Sequence, residues 1–195
     1  MSHTDPGRMR PAGSGRGGAV SIPNLITLAR ILLVPILVWS IASGELELAF
    51  WLFVLAGASD AVDGFLAKRF HMQTELGAYL DPLADKALLI SIYVSLAMVE
   101  LIPRWVAIAV VTRDVMIIGA ILLSVLLAQP VKIRPLVVSK VNTAVQIAFA
   151  ALVLASAGLD LNPGRAFEVG LVAVGLLTAL SAAAYLAEWM RHMAR

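Results

Sequence analysis

Four aspartates, Asp60, Asp63, Asp81 and Asp85, interrupt an otherwise apolar chain within the stretch SDAVDGFLAKRFHMQTELGAYLDPLADK, residues 59–86. Positions 60, 63, 64 and 67 share one face of a helix, since i, i+3, i+4 and i+7 lie on one stripe. Positions 77, 81 and 85 share one face of a second helix. If the two helices are antiparallel neighbours, the four carboxylates converge at one end of the pair. Four uncompensated negative charges cannot be gathered near lipid, so they call for cations. An all-oxygen donor set suits a hard divalent ion, Mg²⁺ or Mn²⁺. Gly64, Ala67 and Gly77 remove bulk beside the carboxylates and leave room for a large group to approach the backbone. Carboxylate-bound divalent ions typically also bind phosphates. Such a site can clamp a diphosphate while one aspartate accepts the proton of an attacking hydroxyl. The chemistry indicated is phosphoryl-type transfer involving a lipid.

The elements that hold these aspartates must sit in a membrane. The chain has 195 residues, 60% of them hydrophobic and 14% charged, with a mean hydropathy of +0.88. That is the composition of an integral membrane protein, not of a soluble domain. The apolar runs predict an all-α protein of six transmembrane helices, near 24–42, 46–65, 82–101, 105–127, 141–158 and 167–189. Asn24 is the expected N-cap of the first. Gly44, Pro103 and the 158–163 stretch mark outer turns. Residues 1–19, rich in Gly, Pro, Ser and Arg, are expected to form a disordered tail, and 20–195 the six-span domain. No secretory signal fits the first apolar run.

Charge orients the bundle. Arg8, Arg10, Arg16, Lys68, Arg69, Lys132, Arg134, Lys140, Arg191 and Arg195 fall on one side of the six runs, and only Arg104 and Arg165 on the other. The positive-inside rule places both termini, and the aspartates, on the cytoplasmic side. Arg30, Lys86 and the pair Arg113–Asp114 lie within or near spans. Arg30 either snorkels or serves a polar cavity, and Lys86 is read as neutralising its neighbour Asp85. Trp39, Trp51, Trp105 and Trp189 read as interfacial anchors, and Ala56 to Ser59 as a close-packing surface, as do Ala182 to Ala184. His3, His71 and His192 are scattered and read as solvated. There is no cysteine, which excludes disulfides and thiol chemistry. No nucleic-acid partner is expected.

The string from Asp60 to Asp85, D-x2-D-G-x2-A-K-x8-G-x3-D-x3-D, resembles the signature of the CDP-alcohol phosphatidyltransferases. Lys68 stands where that signature usually has arginine, which keeps the charge but loses the planar fork. The resemblance implies that Asp60, Asp63 and Asp81 bind a pair of divalent cations, and that Asp85 completes the metal site and acts as general base. It implies that Gly64, Ala67, Lys68 and Thr74 contact the CDP-lipid, that Gly77 lines the cytidine pocket, and that Thr27 lies beside the diphosphate. Beyond the signature, the segments DPLADKALLISIYVSLAMVELIP, VVTRDVMIIGAILLS and RPLVVSKVNTAVQIA resemble the cardiolipin synthases of this family. Phosphatidylglycerophosphate synthases share the IPNLITLARILLVPI pattern. The implied reaction transfers a phosphatidyl group from CDP-diacylglycerol to phosphatidylglycerol, or alternatively to glycerol 3-phosphate. Arg113 and Lys140 are the expected acceptor-binding cations, a homodimer the expected assembly, and a bacterial inner membrane, rather than the mitochondrial one, the expected location. A divalent-ion carrier is the rival from another class. It would need access from both sides, and the acidic cluster lies at one.

Overall fold

The computed structural model describes the backbone of residues 22–70, 75–126 and 137–193, and side chains over 28–62, 84–119 and 137–191. These residues form six helices and no strand: α1 (Ile22–Ala42), α2 (Leu46–Phe70), α3 (Glu75–Met98), α4 (Arg104–Leu126), α5 (Val137–Gly158) and α6 (Arg165–Met193). One helix stands at each expected apolar run. The expected tail over 1–19 lies outside the described residues.

The boundaries shift in an informative way. α2 continues to Phe70, beyond the expected 65, and α3 begins at Glu75, well before Pro82. Hydropathy marks where a segment sits in hydrocarbon. The i→i−4 hydrogen bonds of a helix do not need apolar side chains and continue into water. The aspartate signature therefore lies mostly on helix. α1 starts at Ile22, so Asn24 is inside the helix and not its N-cap. Pro23 is tolerated there because first-turn N–H groups have no intrahelical partner.

The helices close into a ring. α1 packs on α2 and α3, α2 on α5, α5 on α6, α6 on α4, and α4 on α3, with α3 reaching across to α5. The interior is filled by Leu37, Ile41, Phe53, Ile92, Leu96 and Val153, all nearly or fully buried. The exterior is apolar too: Leu32, Trp39, Met98, Ile108, Val169 and Leu176 are largely exposed. Large apolar side chains exposed on all six helices, among the described residues, suit lipid. Among the described residues, Val137–Gly158 and Arg165–Arg191 are long and apolar enough to cross a membrane, and Leu28–Ala42 is a shorter apolar helix.

The turns opposite the aspartates are tightly capped. α1 ends on Gly44 at φ 79°, with the Glu45 N–H donating to the Ser40 carbonyl at 2.9 Å. α3 and α5 end the same way on Glu100 and Asp160, with Leu101 donating to Leu96 and Leu161 to Ser156. These are left-handed caps that satisfy orphan carbonyls. Trp39, Trp51 and Trp105 are exposed within about two turns of this end, as anchors would be. Gly158 lies against the start of α2: a Cβ there would sit 2.7 Å from backbone atoms of Leu46 and Glu47.

Candidate active site

The site is assembled by three helices and one arginine. Arg30 lies mid-way along α1, with its side chain 1% exposed. Its Nη1 is 2.8 Å from Oδ1 of Asp60, on α2, and donates a 2.8 Å hydrogen bond to Oδ1 of Asp85, on α3. The two carboxylates are 49% and 48% exposed. A guanidinium buried among apolar side chains is costly unless it is paired. Arg30 therefore does not snorkel. It turns inward to Asp60 and Asp85 and ties α1 to both neighbours.

Beside this triad lies a cavity of about 390 Å³ between α1, α2, α3 and α5. Arg30, Asp60 and Asp85 form its polar end, and Phe53, Leu88, Leu89 and Ile147 contribute apolar walls. The segment Ala56 to Ser59, expected as a packing surface, is one only in part. Ala56, Gly57 and Ala58 line the cavity, and a Cβ on Gly57 would meet no atom within 4 Å. Ala56 is fully buried in the core, as a packing residue would be, while Gly57 and Ala58 are exposed and leave space open. Ala182 to Ala184 are not buried.

Asp63, Gly64, Ala67 and Lys68 fall on the last turns of α2, Gly77 and Asp81 on the first turns of α3, and Thr27 on α1. Their side chains, and Thr74 altogether, lie outside the described residues. Of the four aspartates, Asp60 and Asp85 are thus described and are brought together. Among the described residues no group of three or more acidic, histidine or cysteine side chains could hold a metal. The pair nonetheless fits a hard cation. Both donors are carboxylate oxygens and both are half-exposed, while Arg30 engages one oxygen of each.

A second polar cluster links α3, α4, α5 and α6. Asp114 Oδ1 accepts from Lys86 Nζ at 2.8 Å and also from Arg113. Arg113 further donates to Ser139 and to Ser181, the latter from Nε at 3.2 Å and Nη2 at 2.9 Å. Its Cζ lies 5.8 Å from the Tyr185 ring centroid. Lys86 therefore pairs with Asp114 and not with Asp85, because adjacent helical residues point about 100° apart. Arg113 is buried and does not line the cavity beside Asp60 and Asp85, and Lys140 is exposed on α5. Deeper in the same seam, Thr178 donates to Asn142 Oδ1 at 3.1 Å and accepts from Gln146 Nε2 at 3.2 Å. Tyr93 donates to the Gln146 carbonyl at 3.0 Å.

Sequence reading did not assign Arg30 to the site and did not pick out the α5–α6 polar seam. Both left a signal. Arg30 is a lone charge within the apolar run that forms α1. Ser139, Asn142 and Gln146 recur at helical spacing on α5, as do Thr178, Ser181 and Tyr185 on α6.

Comparison with known proteins decides the family. A sequence model for CDP-alcohol phosphatidyltransferase matches residues 20–187. The chain belongs to the CDP-alcohol phosphatidyltransferase family. Among curated relatives, it is 33% identical over 181 residues to a cardiolipin synthase (CMP-forming) of Rattus norvegicus, covering 85% of this chain and 60% of that protein. It is 36% identical over 152 residues to the cardiolipin synthase (CMP-forming) of Homo sapiens, covering 70% and 50%. It is 31% identical over 157 residues to a chloroplastic CDP-diacylglycerol–glycerol-3-phosphate 3-phosphatidyltransferase of Oryza sativa, covering 72% and 48%. The chain thus spans between about half and three-fifths of the length of these relatives. CDP-alcohol phosphatidyltransferases generally use divalent metal ions, in keeping with the half-exposed carboxylate pair.

Proposed function

We propose that this CDP-alcohol phosphatidyltransferase transfers the phosphatidyl group of CDP-diacylglycerol to phosphatidylglycerol, forming cardiolipin and releasing CMP. The observation that carries this reading is the cavity whose polar end holds Arg30, Asp60 and Asp85 and whose walls are apolar. A lipid needs both parts, charged groups for its phosphates and an apolar path for its chains. The names of the rat and human relatives point to the same product.

Asp60, Asp63, Asp81 and Asp85 would hold two Mg²⁺ or Mn²⁺ ions, which when bound neutralise the diphosphate and the departing CMP. The chain's own residues do the rest. Arg30 holds the Asp60 and Asp85 carboxylates in register. Lys68 gives a charge-assisted contact to the CDP-lipid, with Gly64, Ala67, Thr74 and Thr27 beside it and Gly77 at the cytidine. Asp85 accepts the proton of the acceptor hydroxyl. The freed oxygen attacks the phosphatidyl phosphorus, and the bond to the CMP oxygen breaks. Arg113 and Lys140 are proposed to act on the acceptor, Arg113 from its buried cluster with Asp114 and Lys140 from an exposed position on α5.

The six helices are proposed to span a membrane, with both termini and the aspartate ends of α2 and α3 in the cytoplasm. The Lys and Arg distribution supports this orientation. The domain is proposed to occupy residues 20–195, as a homodimer in a bacterial inner membrane. A second acceptor, glycerol 3-phosphate, is favoured by the name of the rice relative.

Lipid product analysis separates these readings. Purified protein, CDP-diacylglycerol and Mn²⁺ are supplied with phosphatidylglycerol or with glycerol 3-phosphate. Cardiolipin from the first mixture supports the proposal. Phosphatidylglycerophosphate from the second, with no cardiolipin from the first, replaces the acceptor and leaves the family intact.

A further inference from the structure

The Arg30 contacts raise a question that the lipid reaction does not answer. The carboxylate oxygens proposed to receive a divalent ion are already engaged by a cation that belongs to the protein. Nη1 of Arg30 is 2.8 Å from Oδ1 of Asp60 and from Oδ1 of Asp85. The two oxygens are therefore no further apart than twice that distance. Two carboxylates this close repel one another unless positive charge lies between them. Arg30 is 1% exposed, so water does little to screen it.

We infer that Arg30 is a positioning residue of the metal site: a resident counter-cation that holds Asp60 and Asp85 together before the metal arrives and competes with it afterwards. The inference rests on the metal reading proposed above. Its physics is a linkage. A ligand that binds a site already compensated gains less than one that binds an uncompensated site. A carboxylate has about four lone-pair sites. Contact with Arg30 at Oδ1 therefore does not exhaust Asp60 or Asp85 as metal ligands.

Two effects of Arg30 on metal affinity oppose each other. Holding two aspartate rotamers in place favours binding by saving side-chain entropy. Placing a fixed positive charge a few ångströms from a dication disfavours it. The charge effect is the larger, because aspartate has few rotamers to lose whereas the repulsion acts over a few ångströms from a guanidinium that is 1% exposed. Arg30 thus keeps the site assembled when empty and makes the metal easier to release. An arginine that joined α1 to α2 and α3 away from the metal's ligands would do the first and not the second.

The test is a Mn²⁺ titration of full-length protein in detergent, with free Mn²⁺ read by electron paramagnetic resonance, paired with thermal unfolding in chelator and in saturating Mn²⁺. Wild type is compared with Arg30→Gln and Arg30→Lys. Arg30→Gln is expected to melt below wild type in chelator and to recover most of that loss in Mn²⁺. It should bind Mn²⁺ about tenfold more tightly than wild type, equivalent to ~1.4 kcal/mol. Arg30→Lys keeps the charge and should behave like wild type in both assays. An equal loss of melting temperature with and without Mn²⁺, or failure of Arg30→Gln to fold even in Mn²⁺, would make Arg30 a structural tie only. Unchanged Mn²⁺ affinity in Arg30→Gln overturns the inference while sparing the metal reading. No Mn²⁺ binding by wild type removes the metal reading and this inference with it.

Discussion

Asp114→Asn tests how the seam behind the site is held. Asp114 Oδ1 accepts from both Lys86 and Arg113, and the Asp114 and Arg113 side chains are each 2% exposed. Removing one partner of a buried ion pair typically costs about 3–5 kcal/mol, because the other charge is left uncompensated. Here Arg113 keeps Ser139, Ser181 and the Tyr185 ring, so the loss falls at the lower end, ~3 kcal/mol. For a chain of this length each kcal/mol moves the melting temperature by roughly 2–4 °C, so Asp114→Asn should melt about 6–12 °C below wild type. Lys86 is 29% exposed and can be resolvated, so Lys86→Met alone should cost only about 1 kcal/mol. The double variant should be less destabilised than the two losses added, by roughly 1 kcal/mol, since Lys86→Met removes one of the charges that Asp114→Asn strands. The assay is thermal unfolding in detergent followed by tryptophan fluorescence. Strict additivity, or an Asp114→Asn shift below about 2 °C, would show that the cluster does not couple α3 to α4 as argued.

Asp60→Asn, Asp63→Asn and Asp81→Asn should each abolish CMP release, and excess chelator should do the same reversibly, with Mg²⁺ or Mn²⁺ restoring activity; full activity in chelator would refute the metal site. Gly57→Leu should leave the melting temperature near wild type, since a Cβ there meets no atom within 4 Å, yet lower CMP release by about a hundredfold because the lipid is displaced from the cavity. Wild-type kinetics in that variant would detach the cavity from the substrate. Gly158→Leu should cost about 2–3 kcal/mol in thermal unfolding, because its Cβ would meet the backbone of Leu46 and Glu47, which cannot move aside as a flexible side chain can.

Much of this protein was legible before any coordinates. Its six helices stand at the six apolar runs of the sequence. The Lys and Arg distribution is the basis of the orientation proposed above. The proposed aspartate chemistry rests on residue type and helical spacing, and of the four carboxylates the structure describes Asp60 and Asp85, at one arginine. What spacing could not supply was the partner of each charge. Nothing local in α1 indicates that Arg30 reaches Asp60, 30 residues on, and Asp85, 55 residues on. Nothing beside Lys86 indicates that it turns from its neighbour Asp85 to Asp114. Those choices depend on how the six helices close into a ring, which brings α1 between α2 and α3 and sets α3 against α4. The same holds for Gly57: a small residue on a helix reads as a packing surface, and whether a neighbour or an open cavity faces it is decided by tertiary packing alone. Sequence periodicity specifies which face a residue occupies, but a charge finds its partner by proximity, and proximity between distant segments exists only once the bundle has formed.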